Sequence, residues 1–179
     1  MVKVLQEGDT NMKAIAKGKL LPILVILLLV VAGCGSKAKS APVAGAKAPL
    51  ISGTTIDGKK VSTEDLTGKV VFLTFWQVQS PPSLRELAAL QDLQNAFDNK
   101  VAVLSINLGE DTDEVRGYLQ DKKVKLPVLI DDDKKTLANL YRIDIMPTTF
   151  VLNRKGIISI VREGGLQYDE MEELVKKLS

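Results

Sequence analysis

Three stretches of this chain, VVFLTF at residues 70–75, VAVLSINL at 101–108 and PVLI at 127–130, are near-continuous runs of apolar and β-branched side chains. Short runs of this kind, with little alternation, belong to strands covered on both faces. Between the first two, Leu87, Leu90, Leu93 and Phe97 recur on one helical stripe over residues 84–97. Residues 112–122 place Val115, Tyr118 and Leu119 at helical spacing, and residues 134–141 do the same with Leu137, Leu140 and Tyr141. Strand, helix and strand in that order make a βαβ unit, so the first two strands are expected to be parallel with a right-handed crossover.

Towards the end of the chain the pattern changes. TTFVLN at 148–153 and GIISIVRE at 156–163 are separated only by Arg154 and Lys155, a spacing that forces an antiparallel hairpin. A last helix carries Met171, Leu174, Val175 and Leu178 at i, i+3, i+4 and i+7. A βαβ half followed by a ββα half predicts an α/β fold of thioredoxin architecture, a central mixed β-sheet flanked by helices. Ahead of it, Leu50-Ile51 and Lys60-Val61 flank the turn pair Asp57-Gly58, an N-terminal β-hairpin extension. Ser62 to Asp65 then opens a short helical turn with a capping look.

The N-terminus reads as a targeting segment. Lys13, Lys17 and Lys19 precede the apolar run LLPILVILLLVVA, Leu20 to Ala32. That run is short for a bilayer span, which needs about 20 residues, and suits a secretory h-region. It ends in Val31-Ala32-Gly33-Cys34, the pattern of a bacterial lipobox, in which the cysteine is acylated and the preceding peptide removed. The expected organisation is a signal peptide with lipobox at 1–33, a flexible tether at 34–48 and the thioredoxin-like domain at 49–179. Met12 is an alternative start, because it shortens the n-region. An uncleaved membrane anchor is the competing reading of the apolar run.

Charge follows the same division. The whole chain has a net charge of +2, with 24 basic and 22 acidic residues. Lys3, Lys13, Lys17, Lys19, Glu7 and Asp9 lie within 1–33, which leaves 20 residues of each sign in the remainder. No basic patch for nucleic acid survives that balance. Cys34 is the only cysteine and there is no histidine. Once Cys34 is acylated, thiol chemistry, histidine acid–base chemistry and cysteine or histidine metal sites are excluded together.

Against that background the stretch FWQVQSPPSLRE, residues 75–86, sets two serines around a Pro-Pro turn where a strand meets a helix. Ser80 before Pro81 has an N-cap and N1 arrangement, while Ser83 with Glu86 matches an S-x-x-E capping box. The two registers compete, and the sequence leaves both open. A nucleophilic serine needs a base beside it, and no histidine exists to supply one, so capping is the favoured role. Glu86 shares a stripe with Leu90, Leu93 and Phe97, which allows a partly buried carboxylate of raised pKa. Its early place in the helix favours the alternative, a capping group at the positive end of the helix dipole. Asp131-Asp132-Asp133-Lys134-Lys135 lacks the glycine and distal glutamate of an EF-hand loop and reads as a helix cap on a solvated turn. Thr112-Asp113-Glu114 reads the same way.

These residues carry a resemblance. GKVVFLTFW…PP…LRELAALQDL, followed by Met146-Pro147-Thr148-Thr149-Phe150-Val151-Leu152-Asn153 and Gly156, resembles the membrane-anchored TlpA/ResA-like thiol–disulfide oxidoreductases over residues 47–179. The resemblance implies that Ser80 and Ser83 stand where the family has its two active cysteines. It implies that Pro147 is the family's cis-proline, and that Glu86 matches a glutamate that influences the active thiols. Gln77, Val78 and Gln79 replace what is often Ala-Thr-Trp. Several departures together read as drift after redox selection lapsed rather than as an engineered change.

The expected function is therefore an extracytoplasmic, lipid-anchored protein of the TlpA/ResA type without redox cysteines, acting as a polypeptide-binding or scaffolding module. A peptide groove of Trp76, Pro81, Pro82, Met146 and Pro147 would take an extended or unfolded polypeptide, cysteine-bearing ones included, with exposed backbone at Met146 available for strand addition. No cofactor, metal or nucleic acid is expected; the membrane is reached through lipid on Cys34, and the chain is expected to be a monomer. The alternative is a working thiol–disulfide oxidoreductase, for instance in cytochrome c maturation, seen in a Cys-to-Ser form. A serine-nucleophile enzyme is a third reading.

Overall fold

The computed structural model describes residues 42–179. The expected signal peptide, the expected lipobox with Cys34 and the expected tether up to residue 41 lie outside the described residues. Eleven elements follow in order: β1 Ser52–Thr54, β2 Lys60–Ser62, β3 Val70–Trp76, α1 Pro81–Ala96, β4 Val101–Asn107, α2 Thr112–Asp121, β5 Val128–Ile130, α3 Thr136–Tyr141, β6 Thr148–Leu152, β7 Ile158–Glu163 and α4 Tyr168–Leu178.

Five strands form the main sheet in the order β5-β4-β3-β6-β7. β3 pairs in parallel with β4, and β4 with β5; β3–β6 and β6–β7 are antiparallel. This is the mixed α/β sheet of a thioredoxin fold. β1 and β2 make the separate antiparallel hairpin, turned at Gly58 with φ +84. Ser62 opens a turn as expected: its side chain accepts from the Glu64 N–H at 3.2 Å and its carbonyl from the Asp65 N–H at 3.1 Å. Residues 63–68 continue as successive turns and do not extend into a helix.

Strand alternation divides the core into two layers. Val70, Phe72 and Trp76 of β3 face α1, α2 and α4, where they meet Leu87, Leu90, Val115 and Met171. Val71, Leu73 and Phe75 face the opposite side with Leu104, Phe150 and Tyr141. There Phe75, Tyr141 and Phe150 form an aromatic cluster with ring centroids 4.9–6.1 Å apart.

The domain starts earlier than the expected boundary at Pro49. Lys47 bridges Ile157, the Ala48 N–H donates to the Gly156 carbonyl at 3.0 Å, and the Gly45 N–H donates to that of Ile158 at 2.8 Å. Residues 45–48, assigned to a free tether on their small polar composition, are pinned to the start of edge strand β7. The acidic run is a cap, as its sequence suggests. Asp131 is buried and accepts from the N–H groups of Leu137 and Ala138 at 2.8 and 2.9 Å, while Asp132 accepts from Thr136. At α2 the cap is Asp111, just before the expected Thr112, accepting from Asp113 and Glu114.

Candidate functional site

Sheet register brings three chain segments to one corner. Phe75 pairs with Thr148, and Trp76 with Asn107, so the end of β3, the end of β4 and the residues before β6 lie side by side. From this corner the chain leaves β3 and enters α1 through Ser80-Pro81-Pro82. Ser80 takes the N-cap with extended backbone (φ −106, ψ 102), and Pro81 and Pro82 occupy N1 and N2. That register is favoured because both prolines fall where the helix has no partner for an N–H. The Ser80 side chain accepts from the Ser83 N–H at 3.4 Å, a long contact.

Ser83 lies inside the helix, 1% exposed, and its Oγ has no hydrogen-bond partner among the described residues. A hydroxyl so placed forfeits its bonds to water without replacement. Thr74 Oγ1, Trp76 Nε1 and Glu86 Oε2 are buried and unpartnered as well. The region beneath the first turns of α1 thus holds several polar atoms that protein groups leave unsatisfied.

Glu86 corrects one expectation. With Ser80 as N-cap, Glu86 is the sixth residue of α1, beyond the first turn, and no S-x-x-E capping box forms with Ser83. Its carboxyl is 2% exposed. Oε1 accepts from Thr149 Oγ1 at 2.7 Å, which ties α1 to β6. Burial pushes the Glu86 carboxyl up to about 7 from an ordinary 4.5, against the lowering effect of Thr149 and of the Leu166 backbone. A small cavity of about 50 Å³ lies beside it, lined by Pro82, Gly164, Gly165 and Leu166. A Cβ added at Gly165 would meet Pro147 at 3.5 Å and Glu86 Oε2 at 3.8 Å, so these three residues share one contact point. The Met146–Pro147 peptide bond is cis.

A family model described as AhpC/TSA matches residues 44–161. The chain belongs to the AhpC/TSA family. It is 33% identical over 132 residues to the thioredoxin-like protein YneN of Bacillus subtilis, covering 72% of this chain and 76% of that one. It is 28% identical to the thiol-disulfide oxidoreductase ResA of Bacillus thuringiensis, covering 75% and 78%. The crystal structure of a thiol:disulfide interchange protein from Chlorobium tepidum shares 26% identity with a TM-score of 0.68, covering 75% of this chain and 96% of that one. The domain is thus a ResA-like AhpC/TSA protein with a thioredoxin fold and serine at positions 80 and 83.

The AhpC/TSA corner here differs from the groove expected from the sequence. Trp76 is fully buried and cannot line a groove. It ends β3 on the α1 side, in line with Val70 and Phe72, with its ring 6.1 Å from that of Tyr118. Pro147 is buried too and Pro82 is half-buried. Pro81 is exposed, Met146 is half-buried, and Ile145 is 49% exposed.

Sequence reasoning missed Glu110 and Asn107. Glu110 sits in the loop between β4 and α2, and its carboxylate accepts from the Val78 N–H at 2.7 Å and the Gln79 N–H at 3.2 Å. The Asn107 side chain donates to the same carboxylate. The Gln77 side chain donates to the Leu108 carbonyl at 3.1 Å, and that of Gln79 to Glu114 at 2.9 Å. Gln77, Val78 and Gln79 therefore fasten the loop before Ser80 to its neighbour. Glu110→Ala is expected to cost about 2–3 kcal/mol, since it strands buried and half-buried donors that now meet a charged acceptor. Urea unfolding would measure the loss. Amide exchange should show protection vanishing at Val78 and Gln79 while Phe75 stays protected; equal protection at all three would show that the carboxylate does not hold the loop.

Proposed function

We propose that this domain is a polypeptide-binding member of the ResA-like AhpC/TSA proteins that performs no thiol–disulfide exchange and is held outside the cytoplasm by lipid on Cys34. Exchange requires a thiolate to attack sulfur through a mixed disulfide. Ser80 and Ser83 stand at the two active positions, and the sole cysteine falls in the lipobox. Binding needs no sulfur, and the observation that carries it is the backbone at Met146. Among the described residues neither its N–H nor its carbonyl has a hydrogen-bond partner, and it lies between exposed Ile145 and the cis bond to Pro147. A free donor and acceptor beside an apolar side chain suit an extended peptide added as a strand. The fastened loop at 77–79 keeps the neighbouring surface in one shape, which lowers the ordering cost of binding.

The test is a titration of unstructured peptides, with and without cysteine, against the parent chain and Ile145→Glu. Ile145 is exposed, so its replacement leaves the core intact. Affinity is expected to fall about tenfold as the apolar contact is replaced by a charge. Unchanged affinity would remove the Met146 surface as the binding site. In a disulfide-reduction assay the parent chain should show no turnover; a measurable rate would restore the oxidoreductase reading.

A further inference from the structure

The geometry points to a second site, away from the serine corner: a cavity between the β1–β2 turn and the C-terminal end of α2 that we propose binds an organic anion, a compact aliphatic or aromatic body bearing one carboxylate or phosphate. Its volume is about 570 Å³, in the range of small-molecule pockets, whereas the space beside Glu86 is about 50 Å³. The hairpin forms one wall of this open cleft, and its Ile56 N–H donates to the Val128 carbonyl at 2.9 Å and so holds the turn against edge strand β5.

The floor is apolar for a local reason. α2 ends in a complete Schellman motif: the Val124 N–H donates to the Leu119 carbonyl at 2.9 Å, and the Lys123 N–H to that of Gln120 at 3.2 Å. The motif brings Val124 against Leu119, and with Ile56 and Leu126 they form the cavity's base. It also occupies helix-end carbonyls that would otherwise repel an anion.

The rim is net cationic, with four basic side chains and the Asp57 carboxylate among its lining residues. Arg116 and Lys59 reach it but are already paired, with Asp113 at 2.6 Å and Asp57 at 3.0 Å. Lys123 and Lys125 line it and form no ion pair among the described residues. Lys123 holds φ +56, at the motif position where glycine is the usual residue. Apolar floor and unpaired rim charge together select an amphipathic anion over a bare ion or a neutral apolar body.

The experiment places the full-length chain in phosphatidylcholine nanodiscs and follows the Leu and Val methyl signals while hexyl phosphate or hexanoate is added. Saturable shifts at Leu119, Val124 and Leu126 are expected, with half-saturation at or below about 1 mM. Lys123→Gly with Lys125→Gln should weaken binding at least about tenfold, because charge-assisted contacts are lost. The double variant should melt no lower than the parent, since glycine fits the backbone at 123 and the Lys125 side chain is exposed, so lost binding is not lost folding. No saturable shift up to about 10 mM overturns the site. So does unchanged affinity in the double variant, or inorganic phosphate binding as tightly as hexyl phosphate. If the same methyls respond to phosphatidylglycerol nanodiscs but to neither soluble probe, the face meets a lipid surface and the small-molecule site is rejected.

Discussion

Replacing both serines, Ser80→Cys with Ser83→Cys, is expected to convert a chain without disulfide-reductase turnover into one that reduces protein disulfides. Position 80 is the N-cap of a sixteen-residue helix, with its side chain directed at the N–H of residue 83. A thiolate there gains from the helix N-terminus, which lowers thiol pKa values. A lowered thiol pKa raises the fraction present as thiolate near pH 7, the form that attacks a disulfide, and this outweighs the accompanying fall in its intrinsic nucleophilicity. Position 83 is buried and gives its present hydroxyl no partner, so sulfur, a weaker donor at home in apolar surroundings, fits it better. Ser83→Cys alone should accordingly stabilise the chain, by about 1–2 kcal/mol in urea unfolding under reducing conditions. The double variant would be assayed with a disulfide-bonded protein substrate. If it folds, forms its own disulfide and still fails to exchange, the corner has lost more than two sulfur atoms, and the ResA-like reading of its geometry is wrong.

The sequence exposes the sheet and helices because their signals are local and repeated. The runs 70–75 and 101–108 and the stripe Leu87, Leu90, Leu93 need no distant partner to be recognised, and they mark β3, β4 and α1 to within a few residues. Strand parity also held information about Trp76 that the groove reading overlooked. Even-numbered positions of β3 face α1, so Trp76 follows Val70 and Phe72 into the core. For Glu86, the helical stripe and the early position in the helix pointed in opposite directions. Competition between the Ser80 and Ser83 caps hid which applied, and the two prolines settle it by taking N1 and N2. Other features had no local signal at all. Glu110 meets Val78 across 32 residues of chain, and the stretch 45–48 is held by backbone bonds to Gly156 and Ile158 that composition cannot encode.

Stability is expected to fall as pH rises from about 4.5 to about 7, and Glu86→Gln should abolish most of that fall. The folded carboxyl sits at about 7 and the unfolded one near 4.5, so in this window the folded chain holds a proton that the unfolded chain has released. Neutral Glu86 therefore supports the fold fully below the lower value, and that support is lost as pH passes the upper one. The gap between 4.5 and about 7 corresponds to roughly 3 kcal/mol. Desolvation is the dominant cause, and the bond from Thr149 and the Leu166 backbone offset only part of it, while Oε2 has no close hydrogen-bond partner among the described residues. Glutamine keeps an acceptor for Thr149 and carries no charge, so Glu86→Gln should be more stable than the parent by up to about 3 kcal/mol at about pH 8 and similar to it at about pH 4. Urea unfolding of both chains across that range reads the difference directly. Parallel pH profiles would mean that the Glu86 carboxyl ionises in the fold as easily as in the unfolded chain, and that the corner beneath α1 is wet.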